Sequence, residues 1–128
     1  MAKLILIDTD VMIDYLRGNE KAVSFLRKHA DHVALSSITA AELYAGVRNG
    51  AEEETLDALM ALFRIIPVTG QNAKLGGLLK RTFGRSHGVG LADAIIAATA
   101  QLENAELATL NTKHYPMLAG LKAAYSKK

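Results

Sequence analysis

Cysteine is absent from the 128-residue chain, which excludes disulfides, thiol nucleophiles and thiolate zinc sites together. Long apolar runs are missing as well. The N-terminal one covers only Leu4 to Ile7, too short for a secretory signal. The longest mostly apolar stretch, Val89 to Ala100, is too short to span a bilayer and carries Asp93. No repeat, low-complexity segment or linker interrupts the chain. Neither charge sign dominates: 15 Lys and Arg face 13 Asp and Glu, for a net charge of +2 and a pI near 8.9. That balance tolerates a polyanionic partner without demanding one. Half of the residues are apolar, which argues against disorder. The expectation is one soluble, cytoplasmic domain over residues 1–128, with no membrane partner.

What is present alternates. The stretch KLILI, ending at Ile7, is short, apolar and β-branched, as in a central strand of a parallel sheet. A helix from about Val11 to Arg17 stops at Gly18, and Asn19 caps a second one with Ala22, Phe25 and Leu26 at helical spacing. HVALSS makes a second strand, and Thr39 begins a helix that ends near Asn49 and Gly50. EEETLDALMALF is amphipathic with acids in its first turn, where the helix dipole favours them. RIIPV is a third strand ended by Pro67, and Thr69 starts a helix that runs with some strain through Gly76 and Gly77. GRSHGVG then reads as a glycine-rich loop, LADAIIAATAQLENA as a nearly all-apolar helix and LATL as a fourth strand. Strands alternating with helices place the chain in the α/β class, with a parallel sheet covered on both faces.

The apolar run of the first strand ends abruptly in Asp8-Thr9-Asp10. A charge against a buried strand is costly unless something pairs with it. In open parallel sheets, ligands bind beyond the carboxyl ends of the strands. Asp8 and Asp10 fall just past strand one, Glu42 a few residues past strand two, and Asn111 directly after strand four. Asp93 begins the helix leading into strand four, so acids distant in the chain can converge on one rim. Each has a plainer explanation too. Asp10 suits an N-cap for the helix at Val11, and Thr39-x-x-Glu42 matches a capping box. Asp93 could face water, but Val89 to Ala100 holds only Asp93 and Thr99 as polar side chains, and a helix apolar almost all round is buried. Clustered carboxylates repel one another unless a cation sits among them. Hard divalent ions such as Mg²⁺ accept carboxylate oxygens, water and substrate phosphates, and can activate water for attack on a phosphodiester.

With these residues assembled, the chain resembles the PIN-domain family, specifically the VapC-type toxins of prokaryotic toxin–antitoxin pairs. The resemblance runs from about Leu4 to Leu121, carried by LIDTDVMIDYLRG, SSITAAELYAGV, GVGLADAIIAATA and LATLNTKHYPML in that order. It implies a three-layer α/β/α fold with a parallel sheet of about four to five strands. It also implies metal-dependent endoribonuclease activity with Mg²⁺ or Mn²⁺, homodimerisation, and neutralisation by a cognate antitoxin. Asp8, Glu42 and Asp93 match the family's three best-defined acidic positions. Asp8 and Asp93 would bind the metal, and Glu42 would hold or deprotonate the attacking water. Asp10, Asn111 and Thr109 would stand behind them. The sequence departs from the pattern at Asn111, where many members carry an acid, and at His114, where Asp or Glu is also common. The lost charge favours one firmly bound ion over two.

Lys74, Lys80, Arg81, Arg85 and His87 concentrate positive charge before the Asp93 helix. Together with Arg17 they are candidates to track an RNA backbone, although a solvated helix face explains them equally. Leu43, Tyr44 and Val47, with the Leu56 to Phe63 helix, could offer an apolar groove to an antitoxin segment or a second protomer, or simply pack the core. A phosphoaspartate hydrolase would use Asp8 as nucleophile and Asp10 as acid. A receiver-type domain would need a phosphoacceptor Asp after strand three, which RIIPVTG lacks. A catalytically dead PIN scaffold that binds RNA or antitoxin is the remaining alternative.

Overall fold

In a computed structural model, which describes residues 3–126, four strands form one parallel sheet in the order β3-β2-β1-β4. The strands are β1 (Ile5–Ile7), β2 (Val33–Ser36), β3 (Arg64–Ile66) and β4 (Glu106–Ala108). Ile5 lies opposite Val33 on one side and Glu106 on the other, so β1 is central, as its uninterrupted apolar run requires. Side chains alternate across the sheet. Ile5, Ile7, Leu35 and Ala108 enter one core with Val11, Met12, Leu26, Leu43 and Leu56. Leu6, Ala34, Ile66 and Leu107 enter the other with Ile96, Ala97, Ala100 and Tyr115.

The first core is roofed by α1 (Thr9–Leu16), α2 (Glu20–Lys28), α3 (Ser37–Ala45) and α4 (Gly50–Met60). The second is roofed by α5 (Gly70–His87) and α6 (Leu91–Leu102), giving the expected three layers. Burying a Leu or Ile side chain of this kind contributes about 1.5–3 kcal/mol. The apolar α6 is buried over most of its length, from Ala94 through Ala100 apart from the half-buried Ile95. Among the described residues no helix is long and apolar enough to cross a membrane.

Several element ends differ from the sequence expectation, each for a local reason. Asp8, not Asp10, caps α1, its carboxylate accepting from the Thr9 N–H. Ser36 caps α3 by accepting from the Ile38 N–H, so the helix starts at Ser37 and the Thr39–Glu42 capping box does not form. Thr39 is instead buried within the first turn, and Glu42 falls in the second. Asn49 caps α4 rather than closing α3. The stretch expected as a glycine-rich loop is helical through His87, and Gly88 ends α5 at φ 65°, a left-handed conformation that glycine adopts at little cost.

Candidate active site

The carboxyl ends of β1 and β4 bring Asp8, Asp10 and Thr109 side by side. Asp8 is buried, 6% exposed, and Oδ1 accepts from the Thr9 N–H at 2.8 Å. Its Oδ2 accepts from two hydroxyls, Thr109 and Tyr115, each at 2.8 Å. Asp10 Oδ1 accepts from the Val11 N–H at 2.8 Å, and Oδ2 from the Leu110 N–H at 2.9 Å, tying the start of α1 to the strand end. Asp93, in the first turn of α6, places Oδ1 3.2 Å from the Tyr115 hydroxyl and Oδ2 3.2 Å from His114 Nδ1. Glu42 is exposed, and its Oε1 accepts from the Thr9 hydroxyl at 2.6 Å, which lies 3.2 Å from that of Thr39.

Burial lifts the Asp8 carboxyl above its ordinary value against the pull of its three donors, and the Asp93 charge adds to the rise. Burial, and then the Asp8 charge, lifts Asp10. Burial lifts Asp93 too, with His114 and Tyr115 opposing and Glu42 reinforcing. Tyr115, desolvated and beside two acids, is held far above the phenol range and so remains a donor. Among the described residues no lysine or arginine is ion-paired with any of the four acids, and His114 alone faces one of them.

That donor set suits a hard divalent cation: carboxylate oxygens, negative charge in excess and, among the described residues, no lysine or arginine paired with them. Among the described residues no group of three acidic or histidine side chains is arranged to hold an ion. Mg²⁺, however, needs only one or two carboxylates and keeps several waters. Asp8 and Asp93, bridged by one hydroxyl, are the pair that fits.

Of the other expected residues, Asn111 is exposed and its N–H donates to Thr109 Oγ1 at 3.1 Å. Arg81 and Arg85 are exposed on α5. The Lys80 ammonium donates to the Val89 carbonyl at 2.7 Å, packing over Gly84. Arg17 closes α1 and lines a groove of about 730 Å³ with Ile13, Leu16, Val47 and Leu56. Sequence reasoning assigned no role to Thr9 or Tyr115. Tyr115 belongs to the LATLNTKHYPML motif, but nothing in the order of residues distinguishes a core aromatic from one whose hydroxyl reaches two acids.

Comparison with known proteins agrees with this fold. The family model for the PIN domain matches residues 5–117. The chain is 41% identical over 127 residues to Ribonuclease VapC10 of Mycobacterium tuberculosis, covering 96% of this chain and 94% of that one. It is 39% identical to Ribonuclease VapC19 of the same organism, covering 94% and 98%. A toxin–antitoxin complex from Klebsiella pneumoniae contains a chain that superposes with a TM-score of 0.81 at 31% identity, covering 95% of this chain and 98% of that one. The matched family, the identity over nearly the full length and the shared three-layer fold agree: this chain belongs to the PIN-domain family and groups with its VapC ribonucleases.

Proposed function

We propose that this chain is a metal-dependent endoribonuclease, the toxin of a toxin–antitoxin pair, acting on RNA with Mg²⁺ or Mn²⁺ and held inactive by a cognate antitoxin. One observation carries the reading: Asp8 and Asp93, 85 positions apart in the numbering, meet on a single buried hydroxyl, and among the described residues no lysine or arginine is paired to either. The ribonuclease names of the relatives and the toxin–antitoxin complex among the structural neighbours support it.

In this reading Asp8 and Asp93 hold the ion. When bound, it neutralises charge on the phosphodiester and lowers the pKa of a water placed for in-line attack. Glu42, the exposed acid, orients that water or takes its proton, with the Thr9 hydroxyl fixing its carboxylate. Asp10 and Thr109 lock the end of β4 against α1, so that Asp8 cannot turn away. Asn111 stands at the mouth with an amide that can donate to substrate or water. Arg81, Arg85 and Lys80 follow the RNA backbone from α5, and Arg17 contributes from the opposite layer. The groove beside Arg17, with Ile13 and Leu16 exposed in it, offers an antitoxin segment an apolar seat. The working form is a homodimer. An Asp8 nucleophile of the phosphoaspartate kind is less well served, since among the described residues no lysine is paired with Asp8 or Asp10.

Cleavage of a mixed RNA pool by the purified protein tests this, with Mg²⁺, Mn²⁺ and EDTA arms beside Asp8→Asn and Asp93→Asn. Metal-dependent scission reduced about a hundredfold or more in both variants is expected. Folded wild-type protein that cleaves nothing with either metal would move the chain to a catalytically dead scaffold, the role its Asn111 departure leaves open.

A further inference from the structure

We propose that Tyr115 is a positioning residue for the metal site: its hydroxyl sets the mutual orientation of Asp8 and Asp93 and so determines how tightly a divalent cation is held. This rests on the functional reading above and deepens it. Tyr115 is 1% exposed and packed with Leu6, Ile96 and Leu107, so the ring cannot swing away and the place of its oxygen is fixed by the core. The hydroxyl carries one proton. The 2.8 Å contact to Asp8 Oδ2 is the donated bond, and Asp93 Oδ1 at 3.2 Å takes a weaker share of the same proton.

Two carboxylates arriving on separate elements, the end of β1 and the start of α6, are thereby referred to one atom. Neighbouring residues complete the grip. Thr109 holds the same Asp8 oxygen, and His114 holds the other Asp93 oxygen. Where a fourth carboxylate would be expected, the Thr109–Tyr115 segment supplies neutral donors and an imidazole instead. Groups that orient metal ligands commonly cost ten- to a hundredfold in metal affinity when removed.

Tyr115→Phe keeps the buried ring and deletes only the hydroxyl. Tyr125→Phe is its control, because it also removes a phenol–carboxylate bond, 2.7 Å to Asp14, but one that involves neither Asp8 nor Asp93. Mn²⁺ affinity, read from the free-ion paramagnetic resonance signal without RNA, is expected to fall about ten- to a hundredfold in Tyr115→Phe. In Tyr125→Phe it stays at the wild-type value. A second measurement uses the wild-type protein alone: the ¹³Cζ resonance of Tyr115 shifts along the Mg²⁺ isotherm while that of Tyr125 stays still. Unchanged Mn²⁺ affinity in folded Tyr115→Phe, equal losses in both variants, or a Tyr115 resonance blind to Mg²⁺ would each overturn the positioning role and leave the metal reading standing. A wild-type protein that binds no Mn²⁺ would overturn both.

Discussion

Under the proposed function, Asp8 concentrates the conflict between stability and function in one side chain. It stands at the end of a buried strand, and burial raises its carboxyl above the ordinary 3.8 despite three hydrogen-bond donors. Between 3.8 and the raised value, the folded state binds a proton that the unfolded chain has released. Unfolding free energy therefore falls as pH rises through that window, by about 1.4 kcal/mol for each pH unit that the window spans. The contribution is whole below the unfolded value and gone above the folded one. Above the unfolded value the metal-free protein thus loses stability to this one carboxyl, and Asp8→Asn removes that loss. Calorimetry in EDTA at pH 7 should give Asp8→Asn a midpoint above wild type, by about 4 °C per kcal/mol relieved. Added Mn²⁺ should raise the wild-type midpoint and leave the variant's alone. A lower midpoint for the variant in EDTA would mean that the donors around Asp8 outweigh its desolvation. The acids were legible in the sequence for this same reason, since a carboxylate against an apolar strand has few structural excuses. Tyr115 was not: its partners lie 107 and 22 positions away, and an aromatic in an apolar segment looks like core.

Among the elements, α5 and α6 show how a short sequence feature can hold two different constraints. A Cβ on Gly76 would stand 2.7 Å from Ile95 Cγ1 and 3.0 Å from Ile95 Cα, closer than carbon atoms pack. Gly77 has nothing within 4 Å of such an atom. Gly76 is therefore the point where α5 approaches the helix that carries Asp93, whereas Gly77 costs helix stability without evident return. Gly76→Ala should destabilise by about 1–3 kcal/mol through overpacking. Gly77→Ala should stabilise by about 1 kcal/mol through helix propensity. Urea denaturation of both proteins checks the contrast, and similar effects in the two would remove the close-approach explanation. The sequence showed that a helix ran through this pair, but only the crossing of two helices distinguishes its members. Boundaries were less legible for a related reason. Ser36, Ser37 and Thr39 can all cap a helix, and the choice of Ser36 buries Thr39 beside Thr9, a contact 30 residues away in sequence.

For the whole molecule, the strand order places the acids. In β3-β2-β1-β4 the chain moves outward from β1 in one direction through β2 and β3, then crosses to the other side for β4. The crevice at that reversal opens between the ends of β1 and β4, where a doubly wound sheet binds its ligand and where Asp8, Asp10 and Thr109 meet. Alternating strands and helices made the class and layers readable in advance, because each apolar run can be buried in few ways. Under the proposed function, the path of an RNA strand away from that crevice depends instead on the charges nearby. Net charge is only +2, so attraction must be local rather than global. Arg81 and Arg85 are exposed on α5, which leads through Gly88–Gly90 into the Asp93 helix. Arg48, by contrast, is already neutralised by Glu52 at 2.6 Å. Each single-strand phosphate contact contributes about 0.7 to the slope of log affinity against log salt. In an Asp93→Asn background that spares the RNA, Arg81→Ala with Arg85→Ala should flatten that slope by about 1.4. Arg48→Ala should leave it unchanged. Anisotropy titrations of a labelled RNA at several salt concentrations measure both, and an unaltered slope in the double variant would mean that the RNA leaves the crevice by a path that avoids α5.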